Sequence, residues 1–474
     1  MAEWEIVDSE LDSPSASGAV VPLSGGRALL TGVHSFDRKR VELYDPSTTA
    51  RFTRVADALS PLRWHFAVTL KDDRVLVGGG GDFTDRTRLR RRCYIYNPPW
   101  NPPPNDFWVE VAPLPHRSFW MYTKPAALLP DGRVIVTGGS TPDEAYFDPV
   151  DPGDPDAGFD VYIASRNVFI FNPPAIGTSL PGSWETREPM PSTHTFSYGP
   201  PHEVSVPGAP VAGIVLGKTI EAGRAAHATV VLPNGNVLLI GGRQYQPGEF
   251  YGVKWVDQYD PDTNKWNAPT LERPELPSVP ADNDLNYGGR GFPAVALLSK
   301  STPWGSSNRV LIAGGYMLEL VEEPTSNGDF GFNVRGTHLP RGSTLLFDPS
   351  TNVFETVDER LSFPRPLPFA APLDSSSWWQ WGSRAVVIGG ESTYEGAAVY
   401  HAERFFHLTS YFHNWKTLPC EPYPTWPDYS PRMGTALTDG SILTWSSVDY
   451  TDEPEFGGSG ALRVAKRLHL SWWE

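Results

Sequence analysis

The chain is nearly devoid of cysteine. Among its 474 residues only Cys93 and Cys420 occur, and two thiols so far apart argue against a disulfide framework. No Asn-X-Ser/Thr acceptor is present. No run reaches the about 18 apolar residues that a membrane-spanning helix needs. The first residues, Met1-Ala2-Glu3-Trp4-Glu5, are acidic and lack the basic-then-apolar pattern of a secretory signal. These absences set the expectation of a cytoplasmic protein with no membrane partner. Positive charge is also scarce: 39 Lys and Arg stand against 55 Asp and Glu, a net charge of −16. That balance disfavours nucleic acid, whose binding needs clustered cations. The one basic cluster, Arg86 to Arg92, reads as a solvated loop. There is no Walker loop, no GxGxxG after a strand, no HExxH and no GxSxG elbow, so nucleotide, zinc-peptidase and serine-hydrolase readings lack support.

What is abundant is one phrase, an apolar strand that ends in Gly-Gly. It occurs as Val75-Leu76-Val77-Gly78-Gly79, Val134 to Gly139, Val237 to Gly242, Val310 to Gly315 and Val386 to Gly390, with a weaker copy at Ala28-Leu29-Leu30-Thr31-Gly32. A continuous β-branched run reads as a strand buried on both faces, and the glycines permit a bend and close backbone approach. Recurrence at roughly 50-residue spacing marks a repeat architecture. After most glycine pairs comes an aromatic-Asp/Asn-Pro triplet: Tyr44-Asp45-Pro46, Tyr96-Asn97-Pro98, Phe171-Asn172-Pro173, Tyr259-Asp260-Pro261 and Phe347-Asp348-Pro349. Such triplets turn a strand, because the Asx side chain bonds nearby backbone and proline cannot continue the ladder. A large aromatic follows each one: Phe52, Trp108, Trp184, Trp266 and Phe354. Tight turns at Asp72-Asp73, Asp131-Gly132, Asn234-Gly235 and Asp439-Gly440 are hairpin signals.

With these features the chain resembles the kelch-repeat family, whose repeats are four-stranded propeller blades. In fold it is similar to the propeller of galactose-oxidase-like proteins. The resemblance covers nearly the whole chain and implies an all-β fold, a single propeller domain over residues 1–474. Seven blades are expected, with six as the alternative because Ser446-Ser447 stands where the last Gly-Gly belongs. The seventh blade runs out of chain before a fourth strand. Trp4-Glu5-Ile6-Val7 is the candidate to supply it and so remove an exposed sheet edge. The long interval from Gly139 to Gly242 is read as one blade with two loop insertions, 140–165 and 192–222, and Phe147-Asp148-Pro149 as a loop mimic of the triplet.

In such a blade the strand 2–3 loop and the connection to the next blade share one face. Those segments are the long ones here (80–91, 140–165, 192–222, 243–254, 269–289, 316–343 and 446–461), and long connections in a compact domain are usually functional. A walled mouth over the channel is therefore expected. Counting seven residues back from each hairpin turn places His65, Lys124, His227 and Arg432 in one register of the innermost strands, with Arg290 near it in the fifth repeat and Arg63 and Arg224 close behind. Such a ring would focus a small organic anion, a carboxylate or enolate. His65, His227 and Lys124 are the candidate catalytic residues; Arg63, Arg224, Arg290 and Arg432 are the candidate ligand-binding ones. The histidines are the members able to exchange protons near neutrality. The bland alternative is that polar residues here bond loop backbone.

Copper-radical oxidases of the kelch type use a Cys cross-linked to a Tyr and a Tyr-His pair before an inner strand. Here Ser430-Pro431 stands at that place, Tyr400-His401 falls elsewhere, and Cys93 lies in a third strand. The Glu-x-x-x-Asp-x-x-x-His iron pattern of plant specifier proteins is missing too. His401, Glu403 and His407 alternate onto one face of a strand, yet read better as structural polar residues. No cofactor and no metal are expected. Trp304, Trp378, Trp379 and Trp381, on extended hairpins of the opposite face, are candidates for self-association or a protein partner. Two functions remain: a cofactor-independent isomerase, lyase or cyclase acting on a small molecule in the mouth, or an interaction scaffold or ligand-binding module without catalysis.

Overall fold

The computed structural model describes residues 3–7, 18–34, 37–82, 88–89, 91–101, 106–120, 124–142, 146–147, 162–178, 180–197, 202–204, 213–215, 219–246, 249–267, 273–277, 289–302, 305–324, 330–338, 344–357, 361, 369–373, 383–389, 402–409, 412–418, 433–445 and 465–470. Seven four-stranded antiparallel sheets form a ring, a seven-bladed β-propeller. In blade 1 the strands run Ala19–Leu23, Arg27–Thr31, Val41–Tyr44 and Phe52–Arg54 from the channel outward. Innermost strands of the next five blades begin at Phe66, Ala126, Ala228, Ala294 and Phe369. Among the described residues no helix is long and apolar enough to cross a membrane.

Blade 7 settles the count. Met433–Ala436, Ile442–Trp445 and Ala465–His469 supply three strands, and Glu3–Val7 adds the fourth in antiparallel register, Glu3 opposite His469 and Val7 opposite Ala465. The first and last segments thus share one sheet. Val7 is buried among Val20, Leu30, Tyr44 and Leu443, and Trp4 packs on the cluster containing Ile442 and Leu468. Glu5 meets Arg51 at 3.3 Å and His469 at 3.0 Å.

Each second strand is buried on both faces, which is why it reads as an uninterrupted apolar run: Val75, Leu76 and Val77 are inaccessible, as are Val237 to Ile240. In blades 1 to 6 the aromatic of the third strand packs on the one that follows it in the fourth, Tyr44 on Phe52 at 5.2 Å in blade 1. Tyr96–Trp108, Phe171–Trp184, Tyr259–Trp266, Phe347–Phe354 and Phe405–Trp415 have ring centroids 4.8–5.1 Å apart. The interval from Gly139 to Gly242 adds Val168–Asn172 and Ser183–Thr186 to Ala126–Leu128 and Val134–Thr137, completing one blade, before Ala228–Val231 and Val237–Ile240 open the next.

The strand 1–2 turns are short and alike. Leu70 N–H donates to Arg74 O, Leu129 to Arg133, Leu232 to Asn236 and Leu437 to Ser441. The left-handed position in them is Gly132, Gly235 and Gly440, but Asp73 (φ 68°) in blade 2. The opposite rim carries the insertions, and there the structure corrects the reading of them as loops. Ser140–Pro142 pairs with Tyr162–Ala164, Arg243–Gln246 with Glu249–Gly252, and Tyr316–Pro324 with Phe330–His338. Tyr162–Ala164 lies against Arg243–Gln246 and Glu249–Gly252 against Tyr316–Pro324, so blades 3, 4 and 5 raise one continuous wall. Tyr146–Phe147, read as loop, is a short strand that pairs outside the blade with Gly213–Val215.

Candidate functional site

The glycine-bearing ends of the second strands and the starts of the innermost strands lie on the insertion-bearing rim. Strand pairing fixes the register there. Phe66 pairs with Gly78, Ala228 with Ile240, Ala294 with Ala313, and Met433 with Trp445. One residue ahead of this paired position stand His65, Pro293 and His227; Lys124, two residues ahead of Ala126, holds the same place, since Ala126 pairs one residue further on, with Val136. Arg432 occupies the position in blade 7 but lies outside the described residues, as do Trp304, Trp378, Trp379 and Trp381.

Arg290 falls three residues ahead of Pro293 and matches Arg224, not the histidines. The carbonyls of Arg224 and Arg290 both approach a glycine of the preceding blade: a Cβ on Gly138 would meet Arg224 O at 2.3 Å, and one on Gly241 would meet Arg290 O at 2.4 Å.

The two histidines are clasps between blades. His65 Nε2 lies 2.8 Å from Thr31 Oγ1 of blade 1, and His227 Nε2 lies 2.9 Å from Thr137 Oγ1 of blade 3. Each threonine hydroxyl also reaches a carbonyl, Ala19 O or Pro125 O. The hydroxyl and the imidazole nitrogen thus share one hydrogen between them, and the Thr137 hydroxyl also meets Thr229 Oγ1 at 3.3 Å. Among the described residues Nδ1 of each ring has no hydrogen-bond partner. Each ring edge rests on the glycine after its threonine: a Cβ on Gly32 would stand 2.9 Å from His65 Cε1, and one on Gly138 2.7 Å from His227 Cε1. Both glycines also hold φ near +60°, so no other residue fits there without strain. Burial pushes both imidazoles down to about 3, with the Arg224 charge a smaller second cause at His227. Both are neutral at physiological pH, contrary to the expectation that they exchange protons near neutrality.

The arginines are held behind the rim. Arg224 is wholly buried, its Nη1 3.1–3.2 Å from the carbonyls of Leu239, Gly241 and Trp255, and its Nη2 paired with Asp257. Asp257 also receives Arg273 at 2.6 Å. Desolvation pushes Arg224 and Arg290 down to about 10. Arg63 stacks its guanidinium on Trp64 at 4.3 Å, and its carbonyl accepts from Gly81 N–H. None of the three lines the channel cavity. Bonding to loop backbone, the bland alternative, describes Arg224 well. Asp257 and Arg273 went unread in the sequence, although an acid recurs at the second place of the third strand, as Glu42, Asp257 and Glu403 in blades 1, 4 and 6, and that recurrence was a usable signal.

Lys124 behaves differently. Its Nζ donates to Gly434 O at 2.7 Å and stands 4.8 Å from the Phe369 ring centroid. The side chain therefore leaves blade 3 and crosses the channel to blades 6 and 7. Walled in by protein yet open to the water of the channel, its ammonium is pushed down to about 8 by desolvation. Around it lies a cavity of about 370 Å³ walled by the innermost strands of all seven blades. Small and apolar residues such as Ala67, Ala126, Val295 and Phe369 dominate the wall, with His65, His227 and Trp120 at the rim end. No carboxylate lines it among the described residues. Nor do the described residues include a group of three or more His, Cys, Asp or Glu that could hold a metal ion. Glu403 and His407 are buried in the third strand of blade 6, and His401 lies outside the described residues. Cys93 is buried and its thiol pushed up to about 12, so it is inert.

No family model matches the sequence, and no curated protein matches it. Solved structures are similar to it in fold. The structure of YjhT is 15% identical, covering 86% of this chain and 99% of that one, with a TM-score of 0.45. A fungal alcohol oxidase of the AA5 family, in complex with copper, is 12% identical over 94% of this chain and 84% of that one, with a TM-score of 0.38. Streptogramin B lyase is 10% identical over 99% and 98%, with a TM-score of 0.40. At these values no chemistry is carried across.

Proposed function

We propose that the protein is a kelch-type propeller enzyme that binds a small organic molecule in the rim end of its channel and rearranges it by non-redox chemistry, of isomerase, lyase or cyclase type. The cavity around Lys124 carries this reading. Its volume falls at the lower end of the range for ligand pockets, about 300–1,000 Å³, and apolar walls with few polar groups are the usual make-up of such sites. Lys124 supplies the charge that orients a carbonyl or carboxylate, and the wall holds the rest of the molecule in a reactive shape. Such positioning can itself lower a barrier. His65 and His227 act here by fixing the rim and not by moving protons. Arg224 and Arg290 act through the backbone that they brace.

The test is a thermal-shift and calorimetric screen of small ketones, enols and carboxylates against the wild type and Lys124→Met. A ligand that fits the proposal loses roughly 1–3 kcal/mol of binding in the variant, the scale of a charged hydrogen bond. Ligands that bind both proteins equally would place the site elsewhere. The Trp-bearing hairpins would then be the leading candidate, and the scaffold reading would stand.

A further inference from the structure

We propose that Lys124 Nζ is a nucleophile that condenses with the carbonyl carbon of a small aldehyde or ketone lodged in the channel cavity, forming an imine. The inference rests on the cavity reading above and adds a covalent step to it. The amine attacks the carbonyl carbon and gives a carbinolamine. The nitrogen passes one proton to the former carbonyl oxygen to complete the carbinolamine. That hydroxyl then takes a second proton from solvent and leaves as water as the nitrogen lone pair forms C=N, and the N–H of the resulting iminium returns a proton to solvent. Amine plus carbonyl becomes imine plus water, with no oxidant or reductant, and hydrolysis reverses it.

Four observations converge on this atom. Lys124 is the lysine that lines the cavity. Its Nζ is held by a carbonyl, Gly434 O at 2.7 Å, and by the Phe369 face. A carbonyl accepts an N–H from an amine as well as from an ammonium, so this anchor does not require the charge. No carboxylate faces Nζ from the wall among the described residues. Among the described residues the other titratable groups on the wall are His65 and His227, both neutral at working pH. Finally, the wall is apolar, the setting in which a lysine loses its proton most readily and serves as a covalent catalyst.

The experiment uses the full chain with butanal and sodium cyanoborohydride at pH 7, which reduces an imine to a stable secondary amine. Peptide mapping then compares alkylation at Lys124 with that at the surface lysines Lys254 and Lys265. The expected result is at least tenfold faster labelling at Lys124, rising with pH to a plateau above about 8. Lys124→Arg should abolish the label at this site while keeping the melting temperature within a few degrees. Labelling of Lys124 no faster than of Lys265 in folded protein would overturn the imine. Butanal or a ketone that raises the melting temperature of the wild type without forming an adduct would also overturn it, yet leave the cavity reading intact. Adduct formation at Lys124 that a cavity ligand blocks would support both.

Discussion

Acid should unfold this propeller through its two histidine clasps before its carboxylates begin to titrate. In the folded state both imidazoles are neutral, with pKa values of about 3, because burial disfavours their charged form. In the unfolded chain each returns to about 6.5. Between these values the unfolded state binds more protons, so stability is complete above pH 6.5 and falls as pH falls. From pH 6.5 to 4.5 each clasp loses about 2 kcal/mol, and the pair roughly 4–5 kcal/mol, a large part of a typical domain's stability. Several carboxylates, among them Glu5, Asp45, Asp131 and Asp439, are held below their usual range, the first mainly by its hydrogen bond with His469. Their contribution is lost only as pH drops through about 4 and below. The window above 4.5 therefore belongs to the histidines. The assay is urea unfolding followed by tryptophan fluorescence at pH 7.5, 6.5, 5.5 and 4.5, for wild type, His65→Gln, His227→Gln and the double variant. Each substitution should lower stability at pH 7.5 and flatten the pH dependence by about one proton. An undiminished slope in the double variant would refute the argument, as would NMR signals of His65 and His227, assigned by their loss in the variants, that titrate between pH 6 and 7 in the folded protein.

Removing residues 1–8 strips the fourth strand from blade 7 and the burial of Val7 and Trp4, roughly 3–6 kcal/mol on the usual scale for large apolar side chains. A calorimetric scan should show a large drop in melting temperature, and an unchanged one would sink the account of ring closure. Asp257→Asn leaves Arg224 as a buried cation without its counter-charge, and stability measured by urea should fall by about 3–5 kcal/mol. A loss below about 1 kcal/mol would mean that the carbonyls around Arg224 suffice to hold it. Treatment with a chelator should change neither melting temperature nor ligand binding, and stoichiometric metal lost together with either would overturn that expectation.

Much of the frame was legible because it rests on local rules. The Gly-Gly ends turn at positive φ in Gly138, Gly139, Gly241 and Gly242. Counting back from the turns found the channel register in blades 2, 3 and 4, whose innermost strands run the same few residues to the hairpin, and missed it in blade 5, where the longer strand Ala294–Thr302 put Arg290 in the place of Pro293. The closing strand was legible from an incomplete seventh repeat. What escaped was non-local or depended on burial. Lys124 meets Gly434 across 310 residues, a distance that no periodicity reports. Asp257 and Arg273 come from different segments and join only once blade 4 is folded. The insertions were taken for loops because their strands are two to nine residues long and alternate weakly. The wrong expectation for the histidines came from reading residue type without burial, since an imidazole near neutrality in water is driven out of that range between packed blades.

The fate of each rim residue follows from what the preceding blade offers it. Thr31 and Thr137 end the second strands of blades 1 and 3, and the next blades place His65 and His227 against them. The residue ending the second strand of blade 2 is Gly78, which has no side chain to receive a partner. A side chain there has no room: a Cβ on Gly78 would stand 2.4 Å from Cys93 Sγ and 2.9 Å from Phe66 Cζ. Blade 3 therefore carries no clasp at this register, and its residue there is Lys124. A flexible four-carbon stem lets the amine travel to the far side of the channel, where Gly434 O is available. Blades 1 and 5 also lack a clasp, with Gly18 and Pro293 at this register, but in blade 3 the residue there is a lysine long enough to reach across the channel. That difference is written in the sequence, as Thr-Gly followed by His twice and Val77-Gly78 followed by Lys once.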